Sequence, residues 1–204
     1  MHALQSSWRA LFAYRWIEVL AWLACVAYSS IPSFWLLIHP RIEYWRSRRR
    51  SPYRVLLPLW VAMWVALGAA TWRWRHLLLY RTRMAWAPAA ALLVLSVYLY
   101  SASKIGFTGA QLGGRPELEP SEWEQRLATE GIRARVRHPV YLAHLSEMLA
   151  WSLGSGLAVC YGLTVFAVVT GAFMLRLEDR ELEQRFGDAY RDYRRRVPAL
   201  LPHL

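Results

Sequence analysis

Long uncharged hydrophobic runs, rather than amphipathic repeats, dominate the pattern of this chain. Residues 85–102 and 155–175 contain no charged side chain, and residues 54–72 contain only Arg54 at one edge. A helix needs about 20 apolar residues to cross a hydrocarbon core, and a water-soluble helix keeps a polar face that these runs lack. The pattern therefore predicts an all-α, polytopic membrane protein with about five transmembrane helices, at residues 12–31, 54–73, 85–102, 139–153 and 156–175.

The first hydrophobic run, residues 8–30, is too long and too charged to be the apolar core of a signal peptide, so we interpret it as a membrane helix. It contains Arg15 and Glu18, three positions apart. Residues at this interval share one helix face, so these two side chains are expected to neutralise each other.

The last two hydrophobic segments are predicted to form a helical hairpin. Segment 139–153 has only about 15 residues, which rise about 22 Å as a helix, and Gly154 and Gly156 follow it. Glycine permits a tight turn, so the turn is expected inside the membrane and both outer ends open on the same side. The charge pattern of residues 176–197 predicts a charged helix that continues the last span, and Gly187 is the position where this helix could break.

The arginine residues between the spans predict the orientation in the membrane. Residues 41–54 hold six arginines and residues 73–83 hold four, which favours a cytoplasmic position for the first stretch. Stretches 103–138 and 176–204 then fall on the same cytoplasmic side, and together they hold 13 of the 25 Lys and Arg residues. Within residues 103–138, Ser121 precedes Glu124 by three positions, and this capping-box signature predicts a short helix.

The net charge of +11 comes from 25 basic and 14 acidic residues. Because the positive charges flank predicted membrane helices, the expected partner is the lipid bilayer with its anionic headgroups, and nucleic acid is not expected. Cys25 and Cys160, the two cysteines, both lie in apolar segments without ligand-like spacing. Buried thiols are expected, with neither a disulfide framework nor a metal site.

One segment carries ionisable groups that a membrane helix does not need. Glu147 lies in the middle of an apolar helix, where a lone carboxylate is costly unless it is paired or hydrated. Tyr141 and His144 precede it at intervals of three, so the three side chains share a stripe. The stripe points either into a cavity or at a neighbouring helix, where Arg176 or Tyr161 would be its partner.

The tripeptide Arg137-His138-Pro139 marks the start of the same helix. Proline restrains the residue before it to extended geometry and suits the first turn of a helix. A helix N-terminus offers free N–H groups and a partial positive charge to an anion such as a ligand carboxylate. We therefore expect these residues to rim a cytoplasm-facing pocket at the membrane surface.

Two separated motifs of the C-terminal third resemble the isoprenylcysteine carboxyl methyltransferase and phospholipid N-methyltransferase superfamily. They are GIRARVRHPVYL at residues 131–142 and RLEDRELEQRFGDAYRDYRRRVPALLP at residues 176–202. The resemblance implies S-adenosylmethionine as the methyl donor and a lipophilic acceptor, either a prenylcysteine-like carboxylate or a phospholipid amine. It also implies a division into N-terminal transmembrane helices, residues 1–102, and a catalytic part with loop, hairpin and tail, residues 103–204.

The matching motif positions imply a set of cofactor-binding residues: Arg137, His138, Tyr141, Glu178 and Asp179. The remaining matches in the tail are interpreted as packing that closes the pocket, and they are Phe186, Gly187, Tyr190, Tyr193, Val197 and Pro198.

Four positions depart from the family pattern. Arg133 stands where the family has tyrosine, Ala143 where it has glycine, and Asp179 where it has a second glutamate. Prenylcysteine methyltransferases use an arginine for the substrate carboxylate at the position of Met174, so the substitution favours a lipid amine or another lipophile.

Three residues are candidates for the catalytic step. Arg176 could orient an acceptor carboxylate, and Glu147 or His144 could accept the proton of an amine.

The expected location is a prokaryotic cytoplasmic membrane or a membrane of the endoplasmic-reticulum type. Two alternatives stay open: an NADPH-dependent enzyme similar to sterol reductases, which share a related C-terminal arrangement, and a non-enzymatic scaffold whose polar stripe serves helix packing.

Overall fold

The computed structural model describes residues 2–47, 51–104, 118 and 126–201, and the regular structure of these ranges is helical. The all-α prediction is confirmed, while the short helix predicted from Ser121 and Glu124 lies outside the described residues. The described helices are α1 (His2–Ile38), α2 (Ile42–Arg46), α3 (Tyr53–Thr71), α4 (Trp86–Lys104), α5 (Pro139–Ser155), α6 (Ala158–Phe186) and α7 (Asp188–Arg196).

Four helical segments of the described chain are long and apolar enough to cross a membrane: Arg15–Arg46, Tyr53–Trp74, Arg83–Ser103 and Ala158–Phe186. Only 6% of the apolar window in the second is buried by other protein, so most of its residues keep surface that lipid can contact. Helix α5 has 17 residues and rises about 25 Å, less than the hydrocarbon thickness of about 30 Å. The polytopic membrane architecture is confirmed, with α5 as the short helix predicted from its length.

The turn between α5 and α6 is fixed against the segment that connects α3 to α4. Gly156 has a φ of 68°, and its carbonyl accepts a hydrogen bond of 2.8 Å from the Leu79 N–H. On the other side, the Ala158 N–H donates to the Leu77 carbonyl at 2.9 Å. A Cβ atom at Gly156 would lie 2.2 Å from the carbonyl oxygen of Tyr80, so the site requires glycine. The predicted hairpin of the last two helices is confirmed, while the position of its turn inside the membrane stays a prediction.

Helix packing around the hairpin creates the core. Helix α4 lies along α5, and α1 packs against both α5 and α6. The thiols of Cys25 and Cys160 are buried and free, as predicted. With them the central cluster of buried residues comprises Ala21, Trp22, Val26, Met148, Leu157, Val159, Leu163 and Ala167.

The predicted neutralisation of Glu18 by Arg15 is wrong. Glu18 is 5% exposed, and its Oε1 lies 2.5 Å from Nη2 of Arg81, whereas Arg15 is exposed. His76 Nδ1 lies 3.6 Å from the second oxygen of Glu18. Both partners come from the connection between α3 and α4, so the carboxylate is paired through the fold rather than along its own helix.

The opposite end of the helix bundle gathers the polar segments. Arg46 of α2 forms an ion pair of 3.2 Å with Glu181 near the end of α6. The start of α5 forms backbone hydrogen bonds with residues 198 and 199 of the tail. The basic stretch after α1, the start of α5 and the tail therefore lie at one end, away from the hairpin turn.

Candidate functional site

The tail of the chain folds back onto the beginning of α5. The N–H of Arg137 donates to the Pro198 carbonyl at 2.9 Å, and that of His138 to the Ala199 carbonyl at 3.1 Å. The Arg137 guanidinium also donates from Nη1 to the carbonyl of Val197 at 2.7 Å. His138 has φ −115° and ψ 61°, so the extended geometry predicted before Pro139 is wrong, but the residue lies outside the helix. The N–H groups of Arg137 and His138 are therefore not used inside α5 and can bond the tail.

Asp179 is the centre of a buried ion cluster. Its Oδ2 accepts a hydrogen bond of 2.9 Å from Arg137 Nη2, and its Oδ1 lies 3.1 Å from His138 Nε2. The hydroxyl of Tyr190 also donates to Oδ1, and Arg194 Nε approaches Oδ2 at 3.8 Å. Asp179 is only 7% exposed, and both oxygens of its carboxylate have partners. Asp179 therefore links α5, α6 and α7.

The second ring nitrogen of His138 faces the neighbouring acid. Nδ1 lies 3.3 Å from Oε2 of Glu178, so each nitrogen of the imidazole has its own carboxylate. Burial alone would lower the pKa of His138, but the charges and hydrogen bonds of Glu178 and Asp179 outweigh it and raise the pKa to about 9. At neutral pH the side chain is an imidazolium, which lets the two adjacent acids stay ionised.

A cavity of about 210 Å³ opens beside this cluster, between α1, α5, α6 and α7. Its walls combine aromatic and aliphatic side chains with charged groups from several elements. The lining of the cavity includes Ile31, Trp35, His39, Arg133, Arg137, His138, Val140, Tyr141, His144, Met174, Glu178, Glu181, Arg185 and Phe186.

Three lining residues carry a buried polar atom without a hydrogen-bond partner in the structure: Nδ1 of His39, Nε of Arg137 and Oε2 of Glu181. Buried polar atoms in proteins are normally paired, because an unpaired one costs about 1–3 kcal/mol. Because all three line one cavity, water or a polar ligand in that cavity could pair with them.

A second polar group lies deeper among the membrane helices. His144 lines the cavity, and its ring centroid is 5.2 Å from that of Tyr28 and 5.5 Å from that of Tyr100. Glu147 is half-buried behind it and accepts a hydrogen bond of 3.5 Å from the Trp151 indole. The predicted stripe therefore meets α1 and α4, with His144 as its member at the cavity.

Comparison with known proteins finds relatives over part of the chain. No family model and no solved structure matches it. It is 36% identical over 86 residues to protein-S-isoprenylcysteine O-methyltransferase B of Arabidopsis thaliana, covering 40% of this chain and 42% of that one. It is 33% identical over 103 residues to methanethiol S-methyltransferase 2 of Bradyrhizobium diazoefficiens, covering 49% and 34%. An uncharacterized protein of Haemophilus influenzae is 37% identical over 59 residues, covering 28% of this chain and 94% of that one.

The relatives that this chain resembles thus include protein-S-isoprenylcysteine O-methyltransferases and methanethiol S-methyltransferases. The resemblance drawn from the two motifs is thereby confirmed. The chain spans less than half the length of the two named relatives described, at 42% and 34%.

Four of the five residues that the superfamily motifs imply for cofactor binding line the cavity: Arg137, His138, Tyr141 and Glu178. Asp179 does not line it, and its oxygens are already used by the ion cluster. The Tyr141 ring faces the cavity, while its hydroxyl is buried and donates to the Ala167 carbonyl of α6.

The residues predicted for the catalytic step are not brought together as a group. His144 is at the cavity, Glu147 lies one turn behind it, and Arg176 is exposed and outside the lining. Met174, at the position where prenylcysteine enzymes have arginine, is buried and lines the cavity. The predicted contacts of the stripe with Arg176 or Tyr161 are wrong. The hydroxyl of Tyr161 instead lies 2.5 Å from that of Tyr80.

Several lining residues were missed at the level of sequence. Glu181 stands three positions after Glu178 and so shares its helix face, a signal that the charged tail of α6 concealed. His39 and Trp35 belong to the first helix and its end, more than 130 positions from Glu178. No local sequence pattern predicts these contacts, because they arise only from the packing of α1 against α6.

Proposed function

We propose that this protein transfers a methyl group from S-adenosylmethionine to a lipophilic acceptor at the membrane surface. The observation that carries the proposal is the cavity at the start of α5, where charged groups and unpartnered buried polar atoms open between membrane helices. The names of two relatives, one an isoprenylcysteine O-methyltransferase and one a methanethiol S-methyltransferase, support methyl transfer as the reaction class.

The residues around the cavity fit the charged end of the donor. Glu178 lines the cavity with a side chain that is 33% exposed, so it can accept hydrogen bonds from the ammonium group. Arg137 has an unpartnered Nε, and the first-turn N–H groups of Val140 and Tyr141 have no acceptor within α5. These donors suit the methionyl carboxylate. When bound, S-adenosylmethionine supplies a methyl group that its sulfonium already activates.

Asp179 is proposed as a positioning residue rather than a ligand-binding one. It holds the guanidinium of Arg137 and the imidazole of His138, and through Tyr190 it fixes α7. Because both oxygens are engaged, its effect on the donor passes through the side chains that it orients.

The acceptor side of the cavity is proposed to be its deeper part, around Met174 and His144. An ionised carboxylate acceptor needs a cation, whereas an amine or a thiol must lose a proton before or during transfer. Met174 provides no charge, and His144 offers an imidazole at the cavity. We therefore favour a lipophilic amine or thiol, with His144 receiving its proton. Arg176 has no part in this proposal because it is exposed outside the cavity.

The mouth of the cavity is proposed to face the cytoplasm. It lies at the end of the bundle that carries the arginines of residues 41–54 and of the tail, and positive charge favours the cytoplasmic side.

Calorimetric titration of the detergent-solubilised protein with S-adenosylhomocysteine tests the donor site independently of the acceptor. Binding is expected, and NADPH is expected to give no heat. The acceptor is then sought with methyl-labelled S-adenosylmethionine and three substrates: a total lipid extract, a farnesylcysteine analogue and a long-chain alkyl thiol. Absence of nucleotide binding would refute the proposal, and incorporation into farnesylcysteine alone would refute the preference for an amine or thiol.

A further inference from the structure

Glu181 is a buried carboxylate of which only one oxygen is in use. The residue is 7% exposed and lines the cavity. Its Oε1 lies 3.2 Å from Arg46 Nη2 and 3.9 Å from Arg185 Nη1, while Oε2 is buried without a partner. A carboxylate oxygen in this state needs a hydrogen-bond donor from a ligand.

His39 faces the same cavity from the other wall. It begins the short turn that follows α1, is 8% exposed, and its ring stacks on Trp35 with centroids 5.3 Å apart and planes at 25°. The turn packs against α6, the helix of Glu181. Nδ1 of His39 is buried without a partner, so this wall also offers an unused hydrogen-bonding atom.

The charge balance of Glu181 selects the kind of ligand group. Two guanidinium groups already lie close to this carboxylate, so Oε2 needs a hydrogen-bond donor but not a further positive charge. Neutral hydroxyl groups meet that requirement, whereas an ammonium group is better placed at Glu178. A carboxylate oxygen from α6 and an imidazole nitrogen from the α1 side together suit two adjacent hydroxyls. A ribose carries such a pair.

We propose that Glu181 and His39 bind the ribose diol of the donor nucleotide, with the stacked pair of Trp35 and His39 as the adjoining wall. The inference rests on the proposed function, since it assumes that the donor occupies the cavity. His39 lies outside the two motifs that carry the superfamily resemblance, and Glu181 lies within the second one but is not among its matching positions.

The test compares S-adenosylhomocysteine with its 2′,3′-dideoxy analogue by calorimetry on the detergent-solubilised full chain. The wild-type protein is expected to bind the dideoxy analogue at least tenfold more weakly. Glu181→Gln and His39→Phe are each expected to weaken binding of S-adenosylhomocysteine about tenfold, the effect of losing a hydrogen bond to a charged or buried group, and to leave binding of the analogue unchanged. His39→Asn, which keeps a hydrogen-bonding atom near the position of Nδ1, is expected to bind more tightly than His39→Phe.

Glu183→Gln is the matched control, because Glu183 lies on the same helix but pairs with Arg191 and Arg194 outside the cavity. It is expected to bind both nucleotides as the wild type does. Equal affinity of the wild type for the two nucleotides would overturn the inference, and so would an equal loss of both in Glu181→Gln. This wild-type comparison holds even if a variant fails to fold. Absence of binding of either nucleotide to the wild type would instead refute the proposed function.

Discussion

At the scale of single residues, His138 is held between two carboxylates, with one acid on each ring nitrogen. The residue is 6% exposed, so its positive charge depends on these acids rather than on water. Its proton in turn compensates the charge of Glu178 and Asp179, two adjacent acids that would otherwise repel each other. The ion cluster beside the cavity therefore depends on the protonation state of one imidazole.

We predict that the thermal stability of the protein falls as the pH rises from about 7 to above 9. The pKa of His138 is raised to about 9 in the folded protein, whereas an unfolded histidine has a pKa of about 6.5. The stabilisation is fully present below about pH 6.5 and is lost as the pH rises through about 9, with a total of roughly 3 kcal/mol. Thermal unfolding in detergent between pH 6 and pH 10 measures it.

The control for this pH dependence is His138→Gln, which cannot carry the charge. Its melting temperature should lie below that of the wild type at pH 6.5 and approach it near pH 10, since all other groups titrate in both proteins. A difference between the two proteins that stays constant over the whole range would contradict the assignment of the charge to His138.

The residues that line the cavity differ in how far sequence could predict them. Arg137, His138 and Glu178 were found because short motifs contain them and because charged groups at a membrane helix demand a reason. His39 and Glu181 were not found, since an isolated histidine after a hydrophobic helix and one acid among many in a charged tail carry no local signal. The partner of Glu18 was missed for the same reason: Arg81 reaches it from another segment.

At the scale of elements, the close approach of α5 and α6 depends on Gly171. A Cβ atom at this position would lie 1.5 Å from the hydroxyl oxygen of Tyr141 and 2.0 Å from its ring carbon Cζ. The Tyr141 hydroxyl donates to the Ala167 carbonyl in the preceding turn of α6. Tyrosine on one helix and glycine on the other thus set the separation of the hairpin helices at the wall of the cavity.

We predict that Gly171→Ala destabilises the protein by about 1–3 kcal/mol, because the new methyl group overlaps the tyrosine and must displace it. Gly162→Ala on the same helix is the matched control, since no atom lies within 4 Å of a Cβ placed there. The control should be neutral or slightly stabilising, as alanine favours a helix. Thermal unfolding in detergent measures both variants, and equal melting temperatures would show that the α5–α6 contact is not limiting.

The helices themselves were largely predictable from sequence. Uncharged runs near the length of a membrane span predicted α3, α4 and the first part of α6, and the shortness of α5 followed from the glycines at its end. The break at Gly187 between α6 and α7 was also predicted, and its φ of 57° is one that glycine adopts without strain. What the runs could not predict is which helices touch, because an apolar surface carries no information about its neighbour.

At the scale of the whole molecule, Asp179 joins parts of the chain that are distant in sequence. Its carboxylate contacts the start of α5 through Arg137 and His138, and the tail through Tyr190 and Arg194. Glu178, its neighbour, contacts the same histidine but is 33% exposed towards the cavity. The two acids therefore have different consequences when they are replaced.

We predict that Asp179→Asn lowers the stability of the fold by about 3 kcal/mol or more, because it leaves the buried Arg137 and His138 without their shared carboxylate. Glu178→Gln should change the melting temperature much less and should weaken binding of S-adenosylhomocysteine about tenfold. Asp188→Asn, on an exposed aspartate with 89% of its side chain accessible, serves as the control and should change neither quantity. The reverse order of effects at positions 178 and 179 would exchange the two proposed roles.

The hydrogen bonds from Arg137 and His138 to the carbonyls of residues 197–199 have a consequence for biosynthesis. Residues 197–199 leave the ribosome only after the hairpin of α5 and α6, so the hairpin can begin to enter the bilayer before these partners dock. During that interval Asp179 is the available partner for Arg137 and His138, and the hydrogen bonds to residues 197–199 are not yet formed. The cavity wall at the start of α5 is therefore completed only when residues 197–199 dock, after the preceding membrane helices have entered the bilayer.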